Sequence, residues 1–188
     1  VQPLIQSGPM HGLEVLGVNR SDWDLSIGQP LPDVVERIAR FKPGHLIFAA
    51  GHNVLTNIHS EPANVLAEIE THITINCLAF IRISLILMKE LDQQLLSIHA
   101  ISSLYGVYGR RSRIPYSVSK HALEGAIKCL AVEFPQTQVL GYRPGFFETR
   151  LTQQNVSAAA REALEARIPL HRFGQAEELS ATILANIL

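Results

Sequence analysis

The sequence has few of the features that mark disulfide-linked or nucleic-acid-binding proteins. It contains two cysteines, Cys77 and Cys129, each in an apolar helical pattern, so no disulfide framework is indicated. Its 16 basic and 17 acidic residues leave a formal net charge of -1, which gives no sign of a nucleic-acid or membrane-surface partner. We interpret the short basic run of Arg110, Arg111 and Arg113 as a solvated loop.

From its sequence, the chain is expected to have neither a secretory signal nor a membrane-spanning segment. Pro3 and Pro9 interrupt the first residues, and no charged start is followed there by an apolar run, so no secretory signal is recognised. The most apolar stretch, residues 78 to 88, contains Arg82 and is too short to span a bilayer. We therefore expect a cytoplasmic protein with no membrane partner.

Strand-like and helix-like segments alternate along the chain. No Gly or Pro occurs from Ala63 to Tyr105, which allows one long helix there. Apolar strands separated by helices predict a parallel sheet covered on both faces, within a single domain over residues 1–188. Such sheets bind ligands outside the carboxyl ends of their strands. The predicted strands are 13–18, 45–50, 95–101 and 138–142, and the predicted helices are 32–40, 65–90, 116–134, 157–167 and 176–188.

One stretch, SLYGVYGRRSRIPYSVSK at residues 103 to 120, places three chemically useful side chains together. Tyr116 and Lys120 are four residues apart and share one face of a helix. A nearby ammonium favours the phenolate and lowers the pKa of a tyrosine, so the pair can donate a proton to a carbonyl or accept one from an alcohol. Ser103 ends a strand and can hold the same oxygen. The Tyr-Lys spacing alone also fits an exposed helix pair.

Several segments resemble the short-chain dehydrogenase/reductase family, in consistent order over about residues 13 to 188. LSIHAISSLYG is similar to the strand that ends in the family's catalytic serine, and YSVSK to its tyrosine and lysine motif. ITINCLAF resembles the helix that carries its active-site asparagine. YRPGFFET and RFGQAEEL are similar to its P-G-x-x-x-T and R-x-G-x-x-E-E segments.

The resemblance implies a mechanism for four of these residues. Tyr116 would act as general acid in ketone reduction and as base in the reverse reaction. Lys120 would lower the pKa of Tyr116 and bind the nicotinamide ribose. Ser103 would orient the substrate oxygen, and Asn76 would hold a water that relays protons from Lys120 to solvent. The expected activity is therefore NAD(P)-dependent reduction of a small-molecule carbonyl, or the reverse oxidation.

The resemblance also implies where a cofactor binds. Arg20 falls where the adenine ribose is read, and an arginine there suits a 2′-phosphate, so NADP is favoured and NAD is possible. Asp24 and Leu25 would flank the adenine. Phe48-Ala49-Ala50-Gly51 replaces the family's N-N-A-G, so both asparagines are absent while Gly51 still admits a close cofactor. The full set of predicted cofactor-binding residues is Arg20, Asp24, Leu25, Ala50, Gly51, Tyr116, Lys120, Pro144, Gly145 and Thr149.

The predicted fold is a Rossmann-like doubly wound parallel α/β sheet that lacks the family's first and last strands. Ser7 to Leu13 only superficially resemble the glycine-rich phosphate loop, because no helix fits before the strand that starts at Leu13. Relatives commonly pair through the long helices near 65–90 and 116–134, so a homodimer or homotetramer is expected.

Four alternatives compete with a simple reductase. His45, His52 and His59 recur every seven residues but do not share one face, so no metal site is predicted. No G-x-S-x-G elbow supports a serine hydrolase. A non-catalytic NAD(P)-binding regulatory relative fits the missing asparagines. A nucleotide-sugar reductase or epimerase of the extended branch fits the short connection after residue 18.

Overall fold

Three parallel strands form the sheet of the computed structural model, which describes residues 12–27, 32–92 and 94–188. The strands are β1 (His45–Phe48), β2 (Ser97–Ile101) and β3 (Gln138–Tyr142), and β2 lies in the centre. His45 is opposite Ser97, and Ile101 is opposite Tyr142. All three strands therefore end at one edge of the sheet, which is where ligands are expected.

Helices cover the described sheet on both faces. On one face, Phe48, Ile98 and Ala100 pack in a core with Phe80 and Leu123. On the other face, Ile47 and Ile101 pack near Ile183. This arrangement confirms the predicted α/β class. The helices are α1 (Pro32–Phe41), α2 (Pro62–Ile73), α3 (Ala79–Glu90), α4 (Ile114–Glu133), α5 (Arg150–Asn155), α6 (Ala158–Glu165) and α7 (Ala176–Leu184), with 3-10 turns at Leu25–Ile27 and Leu104–Gly106.

The strand predicted at residues 13–18 is wrong for the described structure. These residues pair with no strand in the part of the chain that is described, and they line a groove beside β1 instead. Val15 and Val18 are exposed. Apolar β-branched composition favours an extended backbone, but a strand also requires a neighbour that supplies ladder hydrogen bonds. The segment from Ser7 to His11, which resembled a phosphate loop, lies outside the described residues.

The long helix predicted from Val65 to Glu90 is present but contains an irregularity. A π-helical segment, Thr74–Leu78, joins α2 to α3 and places the buried Asn76 at its centre. Such segments are rare and often mark functional sites. The resulting helix of 29 residues, Pro62–Glu90, is long and apolar enough to cross a membrane by composition, but half of its most apolar window is buried inside the protein. That burial is typical of a core helix.

A chain of polar side chains crosses one face of the sheet. Ser97 Oγ lies 2.7 Å from His45 Nδ1 and 2.6 Å from His99 Nε2. His99 Nδ1 lies 2.8 Å from the Tyr142 hydroxyl. Burial, aided by the nearby His45, lowers the pKa of His99 to about 4, so its imidazole is neutral at pH 7. The chain links all three strands without a net charge.

Substituting Gly106 by Ala tests how closely the loop after β2 packs on α4. A Cβ at Gly106 would lie 3.0 Å from both Glu124 Cγ and Ser102 Oγ, and 3.1 Å from the Lys120 carbonyl oxygen. Gly106→Ala should therefore lower the free energy of unfolding by about 1–3 kcal/mol, measured by urea denaturation. Gly109→Ala is the control, because nothing lies within 4 Å of its added Cβ. Equal effects of the two substitutions would contradict the close packing.

Candidate active site

The candidate active site is a cavity of about 360 Å³ at the carboxyl ends of the strands. Ser103 follows β2, Tyr116 and Lys120 project from the first turns of α4, and a third part of the wall follows β3. The parallel register brings these separate segments to one place. The predicted site residues that line this cavity are Ala50, Gly51, Ser103, Tyr116, Lys120, Pro144, Gly145 and Thr149.

A second groove, of about 760 Å³, adjoins this cavity and contains the remaining predicted cofactor residues. Its lining includes Arg20, Asp24 and Leu25, and it shares Ala49, Ala50 and Gly51 with the first cavity. The Arg20 side chain is 86% exposed and lies 3.1 Å from the Asp24 carboxylate. That carboxylate also accepts hydrogen bonds from the Ser26 amide and hydroxyl. Together the two cavities suit a long ligand that bends around the end of β1.

Tyr116 is buried, with 8% of its surface exposed. Burial raises the pKa of Tyr116, and a hydrogen bond with Ser103 and the charge of Arg113 only partly offset that effect. The pKa of Tyr116 is therefore raised in this structure, rather than lowered as expected from Lys120. The Lys120 ammonium lies over the Tyr116 ring, 5.8 Å from its centroid. At neutral pH the phenol keeps its proton.

Lys120 holds a buried ammonium, with 3% of the residue exposed. Its Nζ donates a hydrogen bond to the carbonyl oxygen of Ile101 over 2.8 Å. Burial lowers the pKa of Lys120 to about 8, although electrostatic interactions with Cys77 and Glu124 act in the opposite direction. The amine can therefore gain and lose a proton close to neutral pH.

Asn76 connects the segment after β1 to α4. Its Nδ2 donates to the His52 carbonyl oxygen and to Ser119 Oγ, both over 2.9 Å, and its Oδ1 accepts from the His52 amide over 2.7 Å. The residue is fully buried and is not among those that line the cavity. In this arrangement the Asn76 side chain positions the wall of the site, and the predicted relay through it stays a prediction.

The segment after β3 is fixed to α4 by an ion pair. Arg143 Nη2 lies 2.6 Å from Glu124 Oε2, and Glu124 is buried. Burial raises the pKa of Glu124, but interactions with Arg143 and Ser102 outweigh it and lower the pKa below its usual value. Thr149 then caps α5, because its Oγ accepts from the Thr152 amide over 3.2 Å. Thr149, which is predicted to bind the cofactor, therefore already has a structural partner.

The structure brings together His52, Glu68 and His72, which the sequence analysis did not group as a site. His52 Nε2 and His72 Nδ1 lie 4.0 and 3.6 Å from Glu68 Oε2. The three ligand atoms lie within 4.8 Å of one another, as metal ligands can. However, His72 Nδ1 is 2.6 Å from the Glu68 carbonyl oxygen, and its Nε2 accepts from the Val54 amide over 3.4 Å. Both ring nitrogens of His72 are thus already engaged. The spacing of four residues between Glu68 and His72 was the signal in the sequence that these two side chains lie close together.

The interpretation of the basic run as a solvated loop is wrong for Arg113. This residue is only 4% exposed and lines the cavity. Arg110 also lines it, whereas Arg111 is exposed. The position in the sequence explains the difference: Arg113 directly precedes α4, three residues before Tyr116, and it lines the same cavity as that phenol. This proximity to Tyr116 was the signal that sequence reasoning missed.

With this geometry established, comparison with known proteins identifies the family. The profile of the family described as short chain dehydrogenase matches residues 24–160. The chain therefore belongs to the short-chain dehydrogenase/reductase family, which is a family of oxidoreductases.

Similar proteins match this chain over different extents. A 3-oxoacyl-[acyl-carrier-protein] reductase from Thermotoga maritima is 39% identical over 90 residues, which cover 47% of this chain and 36% of that protein. Carbonyl reductase family member 4 of Xenopus laevis is 32% identical over 120 residues, covering 62% and 49%. The matched segments therefore span about a third to a half of these curated relatives.

Solved structures resemble the fold over most of the chain. A 4-hydroxyisoleucine dehydrogenase complexed with NADH has a TM-score of 0.74 and 26% identity, and the match covers 94% of this chain and 72% of that one. An aldohexose dehydrogenase from Thermoplasma acidophilum has a TM-score of 0.81 at 16% identity, covering 97% and 80%. The second likeness shows the fold alone.

Lys120→Met tests the buried ammonium through stability. The folded pKa of about 8 lies below the usual 10.5, so Lys120 destabilises the folded state below pH 8, and this penalty fades as the pH rises towards 10.5. The stability gained by Lys120→Met should therefore shrink by about 2 kcal/mol between pH 7 and pH 9.5, measured by urea denaturation.

Lys128→Met on the exposed side of α4 is the matched control for this experiment. Its unfolding free energy should follow the pH dependence of the unmodified protein. If Lys120→Met also follows that dependence, the ammonium is not desolvated as the structure implies.

Proposed function

We propose that this protein is an NAD(P)-dependent reductase that converts a carbonyl to an alcohol, with Tyr116 as proton donor. The observation that carries the proposal is the buried group of Ser103, Tyr116 and Lys120 at the carboxyl ends of parallel strands. Membership of an oxidoreductase family supports the reaction class. The names of the relatives, a 3-oxoacyl reductase and a carbonyl reductase, support a carbonyl substrate.

Tyr116 suits the acid role in reduction. Because burial raises its pKa, the phenol is protonated at neutral pH and can donate to a carbonyl oxygen that gains negative charge. Ser103, which lines the same cavity as Tyr116, would hold the same oxygen. A bound nicotinamide cofactor would supply the hydride. The neighbouring Arg113 charge favours the phenolate that remains after proton donation.

Lys120 would return the proton to Tyr116. Its amine is fixed by the Ile101 carbonyl, and its pKa of about 8 lies close to the working pH of a proton carrier. The ammonium would donate its remaining hydrogen bonds to a ribose hydroxyl of the cofactor. Arg20, at the far end of the adjoining groove, leaves its exposed guanidinium accessible to an adenine ribose phosphate. These residues fit NADP, with NAD as the alternative.

A non-catalytic NAD(P)-binding relative is the second candidate. It is favoured by the replacement of the family's two asparagines by Phe48 and Ala49, since Phe48 is buried in the core and has no polar group for a cofactor. Turnover of a carbonyl substrate distinguishes the reductase from the non-catalytic relative.

Tyr116→Phe tests the proton donor. Removing the hydroxyl should lower kcat for NADPH-dependent carbonyl reduction about 10²–10⁴-fold, because the oxygen loses its acid, while cofactor affinity stays within about threefold. The measurements are NADPH absorbance with a panel of carbonyl compounds and NADPH titration by fluorescence. Tyr108→Phe is the control, because Tyr108 is an exposed tyrosine of the same loop. Full activity of Tyr116→Phe would refute this role, and cofactor binding without any turnover by the unmodified protein would favour the regulatory relative.

Arg20→Ala tests the cofactor preference. Loss of the guanidinium should raise KM for NADPH about tenfold, equivalent to about 1.4 kcal/mol, and leave KM for NADH nearly unchanged. Initial rates with each cofactor give the comparison. Arg37→Ala is the control, since Arg37 pairs with Asp22 rather than Asp24. Equal changes for both cofactors would exclude recognition of a 2′-phosphate by Arg20.

We propose that the protein forms a homo-oligomer through the exposed surface of its long helices. Exposed apolar side chains lie along them, at Leu66, Leu78, Leu85, Val118 and Val132. Such side chains favour association with another apolar surface. The cytoplasmic location stays a prediction.

A further inference from the structure

Arg113 is a buried cation without a carboxylate partner. It takes part in none of the ion pairs found among the described residues, whereas Arg143, Arg161 and Arg172 each pair with a glutamate. Burial and repulsion from Arg110 both lower the pKa of Arg113. A desolvated guanidinium is costly unless an anion or several acceptors compensate it.

The acceptors around Arg113 are neutral and incomplete. Its Nη1 donates to the side-chain oxygens of Asn53 and Asn155, the latter over 3.0 Å. Its Nη2 has one long contact, 3.5 Å to the Asn155 carbonyl oxygen, and its Nε is buried with no hydrogen-bond partner. Nε and Nη2 share the edge of the guanidinium that pairs with both oxygens of a carboxylate. The edge best suited to an anion is therefore the one with the fewest partners.

Arg110 adds a second positive charge to the same cavity. Its guanidinium lies 5.4 Å from the ring centroid of Tyr105 and 5.2 Å from that of Phe146. Its Nη1 also donates to the Tyr105 hydroxyl. Aromatic contacts of this kind fix the direction of the guanidinium without neutralising its charge.

No acidic side chain balances these charges within the cavity. Among the described residues that line it, Arg110, Arg113 and Lys120 are cationic and none is Asp or Glu. If Arg113 only joined Asn53 to Asn155, a neutral donor such as glutamine could fill that role without a desolvated charge. The arrangement therefore favours an anionic ligand that arrives from outside.

We propose that the substrate carries a carboxylate that pairs with Arg113 while its carbonyl group meets Tyr116, so that the enzyme reduces a short oxo acid. This inference rests on the proposed reductase function and names its substrate class. Both side chains line the same cavity, and the Arg113 charge acts on the Tyr116 phenol, so one short substrate can meet both groups.

The kinetic test compares oxo acids with neutral analogues of the same shape. 3-Oxobutanoate, 4-oxopentanoate and 5-oxohexanoate are each assayed with NADPH beside their methyl esters, and the N-acetylcysteamine thioester of 3-oxobutanoate is included. For at least one acid, kcat/KM should exceed that of its ester by about 30-fold or more, because the ester leaves the guanidinium unpaired. Equal or better use of the esters or the thioester would overturn the proposal.

Arg113→Gln assigns the effect to one residue. It should lower kcat/KM for the preferred acid about 30-fold more than that for its ester, because loss of the charge beside Tyr116 affects both substrates alike. Arg111→Gln, on the exposed part of the same loop, should leave both values unchanged. Equal losses for acid and ester would overturn the assignment. If Arg113→Gln fails to fold, as judged by circular dichroism, the comparison of acid with ester in the unmodified protein still decides the proposal.

Calorimetry separates this inference from the proposed reaction. The acids and esters are titrated into the unmodified protein and into Arg113→Gln, each saturated with NADP⁺. Acid binding that is weakened about tenfold or more by Arg113→Gln supports the anion site, even if no compound is reduced and the reductase proposal fails. Failure of every acid to bind, or equal affinity for acid and ester, overturns the anion site whether or not a neutral carbonyl is reduced.

Discussion

The site depends on the buried ammonium of Lys120, which donates a hydrogen bond to the end of the central strand. Lys120 Nζ donates to the carbonyl of Ile101, the last residue of β2, and so fixes the first turns of α4 against the sheet. Tyr116 lies one turn earlier on the same helix, and Gly106 allows the serine loop to pass close to it. One polar contact thus sets the relative positions of a strand, a loop and a helix. Its desolvation cost also moves the pKa of Lys120 into a useful range.

Asn76 extends this arrangement to the first strand. The π-helical segment directs its side chain to the backbone of His52 and to Ser119 on α4. The segment after β1 is therefore held to the helix that carries the proton donor. Irregular helical geometry of this kind is tolerated because the Asn76 amide satisfies buried polar groups on both sides.

Much of this could be predicted from the sequence, for identifiable reasons. Apolar runs marked β2 and β3 and Pro115 marked the start of α4, so their positions followed within two residues, and QVLGY matched its strand at both ends. The family motifs located Ser103, Tyr116 and Lys120. The strand predicted at residues 13–18 was wrong because a strand needs a hydrogen-bonded neighbour, which composition alone does not reveal.

The electrostatics of the site were the least predictable part. The expected effect of Lys120 on Tyr116 considered one charge and omitted burial, which is the larger influence on that phenol. Arg113 was misread because its neighbours in the sequence are basic and polar, whereas its hydrogen-bond partners Asn53 and Asn155 come from distant parts of the chain. Such effects depend on tertiary contacts that spacing does not encode.

The polar chain across the sheet constrains how this protein can vary. His45, Ser97, His99 and Tyr142 each serve as the hydrogen-bond partner of the next, on three different strands. Replacing one member by an apolar residue takes a hydrogen-bond partner from its buried or half-buried neighbours, whereas replacing all of them removes that cost. We expect the four positions to vary together, so that homologues carry either the whole polar chain or four apolar residues.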